Sequence, residues 1–102
     1  MASDSYHEAF DSLRPETVDL HRAITSLMEE LEAVDWYQQR VDATTDTDLA
    51  AILAHNRDEE KEHAAMVLEW IRQHDTGFDE QLRTYLFHPE ALTEEVHKHD
   101  PS

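Results

Sequence analysis

Between Pro15 and Gly77 the chain contains neither glycine nor proline, and that uninterrupted stretch constrains the fold more than any motif does. A sheet needs turns, and turns draw on the residues this stretch lacks, whereas its abundant Ala, Leu, Glu, Gln and Arg favour helix. The expected class is therefore all-α. One polar segment, "DATTDTD", breaks the apolar periodicity. It divides a first helix, from near Pro15 to about Asp42 with Ser12 as candidate cap, from a second over about Thr47 to His74 with Thr45 or Asp46 as cap. Gly77, the only glycine, is expected to close the second helix in the left-handed conformation. The segment "FDEQLRTYLF" reads as a short third helix, and the tail beyond it, "EEVHKHDPS", as exposed and flexible. The expected organisation is one domain over 1–102, with a polar arm at 1–12, a helical core at 13–87 and a flexible tail at 88–102.

Two such helices joined by a short loop make an antiparallel hairpin roughly 40 Å long, at about 1.5 Å per residue. A hairpin alone has no closed core. Each helix carries an apolar stripe wider than one neighbour covers, so association into a four-helix bundle is the expected way to bury the rest.

Charge narrows the choice of partners. A formal net charge of −16 argues against nucleic acid and against anionic membrane surfaces, both of which need Lys and Arg. Cations suit such a surface. With no cysteine there is neither a disulfide framework nor a thiolate metal site, and "MASDSYHEAF" has no leader-like apolar segment. A soluble, intracellular protein is expected.

The stretch "NRDEEKEHAA" then asks which way its charges point. Steps of three and four link Ala23, Leu27, Glu30, Val34, Tyr37 and Val41 on the first helix, with Leu20, Ile24 and Leu31 alongside. On the second they link Leu49, Ile52, Asn56, Glu60, His63, Val67, Trp70 and His74, flanked by Leu53 and Ile71. Glu30, Glu60 and His63 therefore lie within apolar stripes. Asp58 and Lys61 fall on the opposite face, Glu62 to the side, and Arg57 is expected to project away from the stripe. The other histidines, His7, His21, His55, His88, His97 and His99, are expected in solvent, with His74 ending the stripe.

A buried carboxylate needs a hydrogen bond, a cation or a metal to offset its desolvation. The three groups could simply edge the seam and reach water, because a lone Glu-x-x-His is common in acidic helices. Glu30 shifts that balance. Ferritin-like dinuclear sites take a Glu-x-x-His pair from each of two helices and a single Glu from each of two others. This chain supplies one of each, half a site that a two-fold dimer would complete. Four carboxylates balance two divalent cations, and oxygen-rich ligation with one nitrogen per metal suits iron or manganese.

The segments "MEELEAVDWYQQRVDA", "LAAILAHNRDEEKEHAAMVLEWIR" and "LRTYLF" closely resemble the encapsulated ferritins, short relatives of ferritin packaged inside encapsulin nanocompartments. The resemblance implies a two-helix hairpin with a short C-terminal helix, a ferroxidase centre formed only between two chains, and dimers assembled five to an open decameric ring. It places the metal-binding glutamate on Glu30, the Glu-x-x-His pair on Glu60 and His63, and an aromatic pair on Trp36 and Tyr37, of which Tyr37 lies toward the site. It also implies an outer cation site at Glu29 and Glu32. The implied activity is oxidation of Fe2+ by dioxygen, in the cytoplasm inside an encapsulin shell whose docking peptide is expected outside the closing "KHDPS". The alternative is a non-enzymatic acidic helical bundle acting as scaffold or metal buffer.

Overall fold

The computed structural model describes residues 6–98, and of 95–98 the backbone path alone. Four α-helices follow one another: α1 (Pro15–Ala43), α2 (Thr47–His74), α3 (Thr76–Tyr85) and α4 (Pro89–Lys98). Both long helices fall where the unbroken apolar pattern places them. No strand occurs among the described residues, and no described helix is long and apolar enough to cross a membrane.

The helix ends follow from local chemistry, with two corrections. Pro15 opens α1 with its φ already helical, and Arg14 precedes it without a side-chain cap. Ser12 is not the cap. It sits in a short 3₁₀ turn, Phe10–Ser12, where its hydroxyl donates to the Ala9 carbonyl at 2.7 Å. Asp46 caps α2 as expected, accepting from the Leu49 amide at 2.9 Å, so three residues suffice to reverse the chain. Gly77 is not the left-handed terminator of α2 and lies inside α3 instead. Asp75, extended at φ −140° and ψ 109°, both ends α2 and caps α3 by accepting from the Phe78 amide at 2.8 Å. A Cβ on Gly77 would stand 3.3 Å from the Asp75 carboxylate, so what the glycine supplies is room for that cap. The left-handed residue is Phe87, at φ 62°. Beyond it the expected flexible tail is helical as far as Lys98: Pro89 presets the first turn and Glu90 favours its N-terminal dipole. His99 lies outside the described residues.

Along the hairpin, α2 is rotated relative to the expected stripe. Its most buried residues are Ala64 and Ile71, the latter 1% exposed, so the seam with α1 follows Leu53, Glu60, Ala64 and Ile71. Leu49, Ile52 and His63 are exposed, on the flank of that seam. The reason is the width of the stripe, since periodicity locates its centre and not which half meets the chain's own first helix. Only Val18, Ala64 and Ile71 are buried among the described apolar residues, while Met28, Leu31, Leu49, Ile52 and Met66 stay open.

The N-terminal arm is less polar in its contacts than its composition suggests. Tyr6 meets Phe10 edge-on and lies 4.5 Å from the His21 ring, so His21 is half-buried rather than in solvent. At the other end, α3 is tied to α2 by charge. Arg72 donates twice to Glu69, at 2.7 Å each, and once to Asp79 on α3 at 2.5 Å, and Asp79 also accepts from Arg83. These donors hold Glu69 down at about 2 and Asp79 below the usual carboxylate range. Depressed carboxyl pKa values stabilise the folded form above the ordinary range near 4, and that contribution is lost as pH falls toward about 2. Arg72→Ala, or acidification through that window, is therefore expected to speed amide exchange in Thr76–Tyr85 while the hairpin keeps its protection. Equal acceleration across α1 would show that the network braces the whole fold.

Candidate metal centre

Glu30 lies near the middle of α1, and the pair Glu60 and His63 projects from the facing stretch of α2. One carboxylate oxygen of Glu30, Oε2, is sealed from solvent and has no hydrogen-bond partner. Burial raises the Glu30 pKa above the usual glutamate value; His63 acts in the opposite sense, and Glu60 and Glu29 push it further up. All three named groups are thus close enough for their charges to act on Glu30.

The Nδ1 atom of His63 stands 3.8 Å from Glu60 Oε2, too far for a hydrogen bond. Glu60 is more covered than His63, whose side chain is 49% exposed. This gradient runs from the hairpin seam outward, so the histidine is offered to whatever covers the open face. Among the described residues of one chain, no three carboxylate or histidine groups stand close enough to hold a metal by themselves.

The neighbouring cations are engaged elsewhere. Arg57 does not project away, as the sequence pattern led us to expect: it crosses the seam to donate to Gln38 Oε1 at 2.8 Å while also binding Asp58. Lys61 stands 3.7 Å from the same Asp58. Neither relieves Glu30. A half-buried carboxylate with an orphaned oxygen, next to a second carboxylate and an imidazole, is a donor set suited to a hard divalent cation.

The remaining candidates are placed less closely. Glu29 is exposed and Glu32 half-buried on either side of Glu30. Tyr37 sits two turns along α1 with its ring 5.2 Å from the Arg40 guanidinium, a contact with no part in the carboxylate cluster, and Trp36 beside it is 46% exposed. Glu62 is exposed. Sequence reasoning missed one pair: His55 Nε2 lies 2.9 Å from Glu59 Oε1, a surface contact whose signal is the i,i+4 spacing. His74 stacks on Trp70 at 3.9 Å between ring centroids, and His88 bonds the Leu86 carbonyl.

A sequence family described as EncFtn-like matches residues 5–89. The chain is 65% identical over 92 residues to the "Encapsulated ferritin-like protein" of Rhodospirillum rubrum, covering 90% of this chain and 66% of that protein, just under two thirds of its length. It is 54% identical over 92 residues to a "Ferritin-like protein" of Thermotoga maritima, covering 81% of it. Identity to the "Encapsulin nanocompartment cargo protein EncC" of Myxococcus xanthus is 43% over 70 residues, 65% of this chain and 54% of that one. The crystal structure of protein ne0167 from Nitrosomonas europaea superimposes with a TM-score of 0.78 at 66% identity, covering 80% of this chain and 90% of that chain.

Proposed function

The chain belongs to the EncFtn-like family, and on that premise we propose that it is a ferroxidase whose centre forms between two copies and whose working place is an encapsulin nanocompartment in the cytoplasm. The observation that carries the reading is Glu30 Oε2, buried and unpartnered beside Glu60 and His63. In a two-fold dimer the open faces of two hairpins cover one another and each chain contributes Glu30, Glu60 and His63, so four carboxylates and two imidazoles hold two Fe2+ ions as substrate. Each Fe2+ gives up one electron, and dioxygen with two protons takes both to form hydrogen peroxide. Anionic oxygen donors favour the more highly charged Fe3+, which supplies driving force for that transfer. Glu30 would bridge or terminate the iron pair, Glu60 would add the second carboxylate and His63 the nitrogen. The product iron then leaves for mineral deposited in the surrounding shell. Five such dimers in an open ring enclose no store of their own.

Fe2+ added in air should be oxidised well above the uncatalysed rate, with two ions bound per dimer in anomalous diffraction. A rate no faster than buffer would leave an acidic scaffold or metal buffer as the better description. Glu29 and Glu32 belong outside the coordinating set, where acidic side chains concentrate cations. Changing both to alanine is expected to alter the dependence of rate on Fe2+ concentration severalfold while the two inner ions stay visible. Their loss from the double variant would assign Glu29 or Glu32 to the centre itself.

A further inference from the structure

The chain has three methionines, and the two among the described residues sit differently toward the Glu30 centre. Met66 is 63% exposed and Met28 40%, so neither thioether is sealed off by its own chain. Met66 follows His63 by one helical turn. It lines an open groove between α1 and α2 together with Ala23, Ser26, Val67 and Trp70. Both walls of that groove lead to the centre: steps of three and four carry Ala23 and Ser26 on to Glu30, and Trp70 and Val67 back to His63. Met28 comes two residues before Glu30, about 200° round the helix and so on the back of α1.

The chain has no cysteine, which leaves a thioether as its most readily oxidised two-electron donor. Iron oxidation by dioxygen at the centre yields hydrogen peroxide, and peroxide loose beside Fe2+ breaks down to hydroxyl radical. A reductant on the groove that opens from the centre meets the peroxide first.

We propose that Met66 is an oxidation site that captures hydrogen peroxide leaving the centre, a role that rests on the ferroxidase reading. The sulfur lone pair attacks one peroxide oxygen and the O–O bond breaks. That oxygen stays on sulfur as the sulfoxide, while the other departs as water carrying both peroxide hydrogens. Sulfur loses two electrons and peroxide gains them, so the step needs no further reactant. Each chain takes up one peroxide in this way, and a methionine sulfoxide reductase restores the thioether. Position decides which methionine is used. Exposure alone favours Met66 over Met28 by less than about twofold, whereas formation of the oxidant one turn away raises its local concentration far more.

The test adds Fe2+ in air to the full chain at low iron loading and follows both methionines by peptide mass spectrometry, alongside the rate of iron oxidation. Met66 should be converted at least about fivefold faster than Met28, and catalase in the buffer should leave that preference intact because capture precedes escape. Peroxide added to metal-free protein should not reproduce it. Met66→Leu, which keeps the apolar volume, should release more peroxide per iron oxidised. Iron oxidised well above the uncatalysed rate with Met66 unmodified, or modified no faster than Met28, would overturn the proposal and leave the ferroxidase reading standing. So would a preference that catalase abolishes or that added peroxide reproduces without metal, and so would unchanged peroxide release in Met66→Leu. Iron oxidised no faster than in buffer would remove both.

Discussion

Alanine at Glu30, Glu60 or His63 is expected to cut aerobic Fe2+ oxidation by at least about 100-fold, since loss of an outer-shell partner alone typically costs 10- to 100-fold and each of these changes removes two ligands from a symmetric centre. The fold should survive all three. None of these side chains is among the three buried apolar residues of the hairpin, and Glu30 has an oxygen without a partner, so its removal breaks no hydrogen bond there. Glu62→Ala is the control, because Glu62 is exposed two positions from Glu60 and one from His63. It should retain the wild-type rate. Stopped-flow absorbance after mixing anaerobic protein and Fe2+ with oxygenated buffer would measure the rates, and circular dichroism would confirm the helices. If Glu62→Ala were inactive and Glu60→Ala unimpaired, the functional face of α2 would lie half a turn from where its burial puts it.

The second large effect joins metal, pH and assembly. Burial and the Glu60 charge raise the Glu30 pKa in a single chain, and a dimer would bring two more carboxylates into the same space. A raised carboxyl pKa means that the folded form holds its proton more tightly than the unfolded one. Its favourable contribution is full below the ordinary value of 4.5 and is lost as pH rises through the raised one. Metal-free protein should therefore be less stable at neutral than at mildly acidic pH so far as Glu30 is concerned, and Glu30→Gln should flatten that dependence. Fe2+ reverses the sign. It binds the deprotonated ligands of the associated state and draws the equilibrium toward that state by mass action. With Fe2+ kept anaerobic, association at the metal-binding face should strengthen on the order of tenfold or more as pH rises from about 5 to about 7.5. Native mass spectrometry with and without metal would follow it. Dimer populations indifferent to metal across that range, in wild type and Glu30→Ala alike, would leave apolar burial as the sufficient cause of assembly.

How much was legible without coordinates differs from residue to residue. The absence of glycine and proline between Pro15 and Gly77, with one polar break, determined two long helices and a three-residue reversal, because helix propensity and capping are local properties. The same periodicity picked Glu30, Glu60 and His63 out of a crowded acidic sequence, and resemblance to a known family selected the same three. Local chemistry also determined Asp46 as a cap, since a short acceptor before a helix has one nearby amide to satisfy.

Tertiary structure decided what periodicity averages over. It showed Ala64 and Ile71 meeting α1 while Leu49 and Ile52 stay open, Arg57 crossing to Gln38 instead of pointing away, and Glu30 left with a sealed, unpartnered oxygen. It also moved the left-handed position from Gly77 to Phe87, because an aspartate able to cap α3 made a separate terminator for α2 unnecessary. The physical reason is common to these cases. A sequence pattern states which side chains avoid or seek water, but which apolar half is covered, which ion is paired and which carboxylate is stranded depend on the angle and distance at which a second helix arrives.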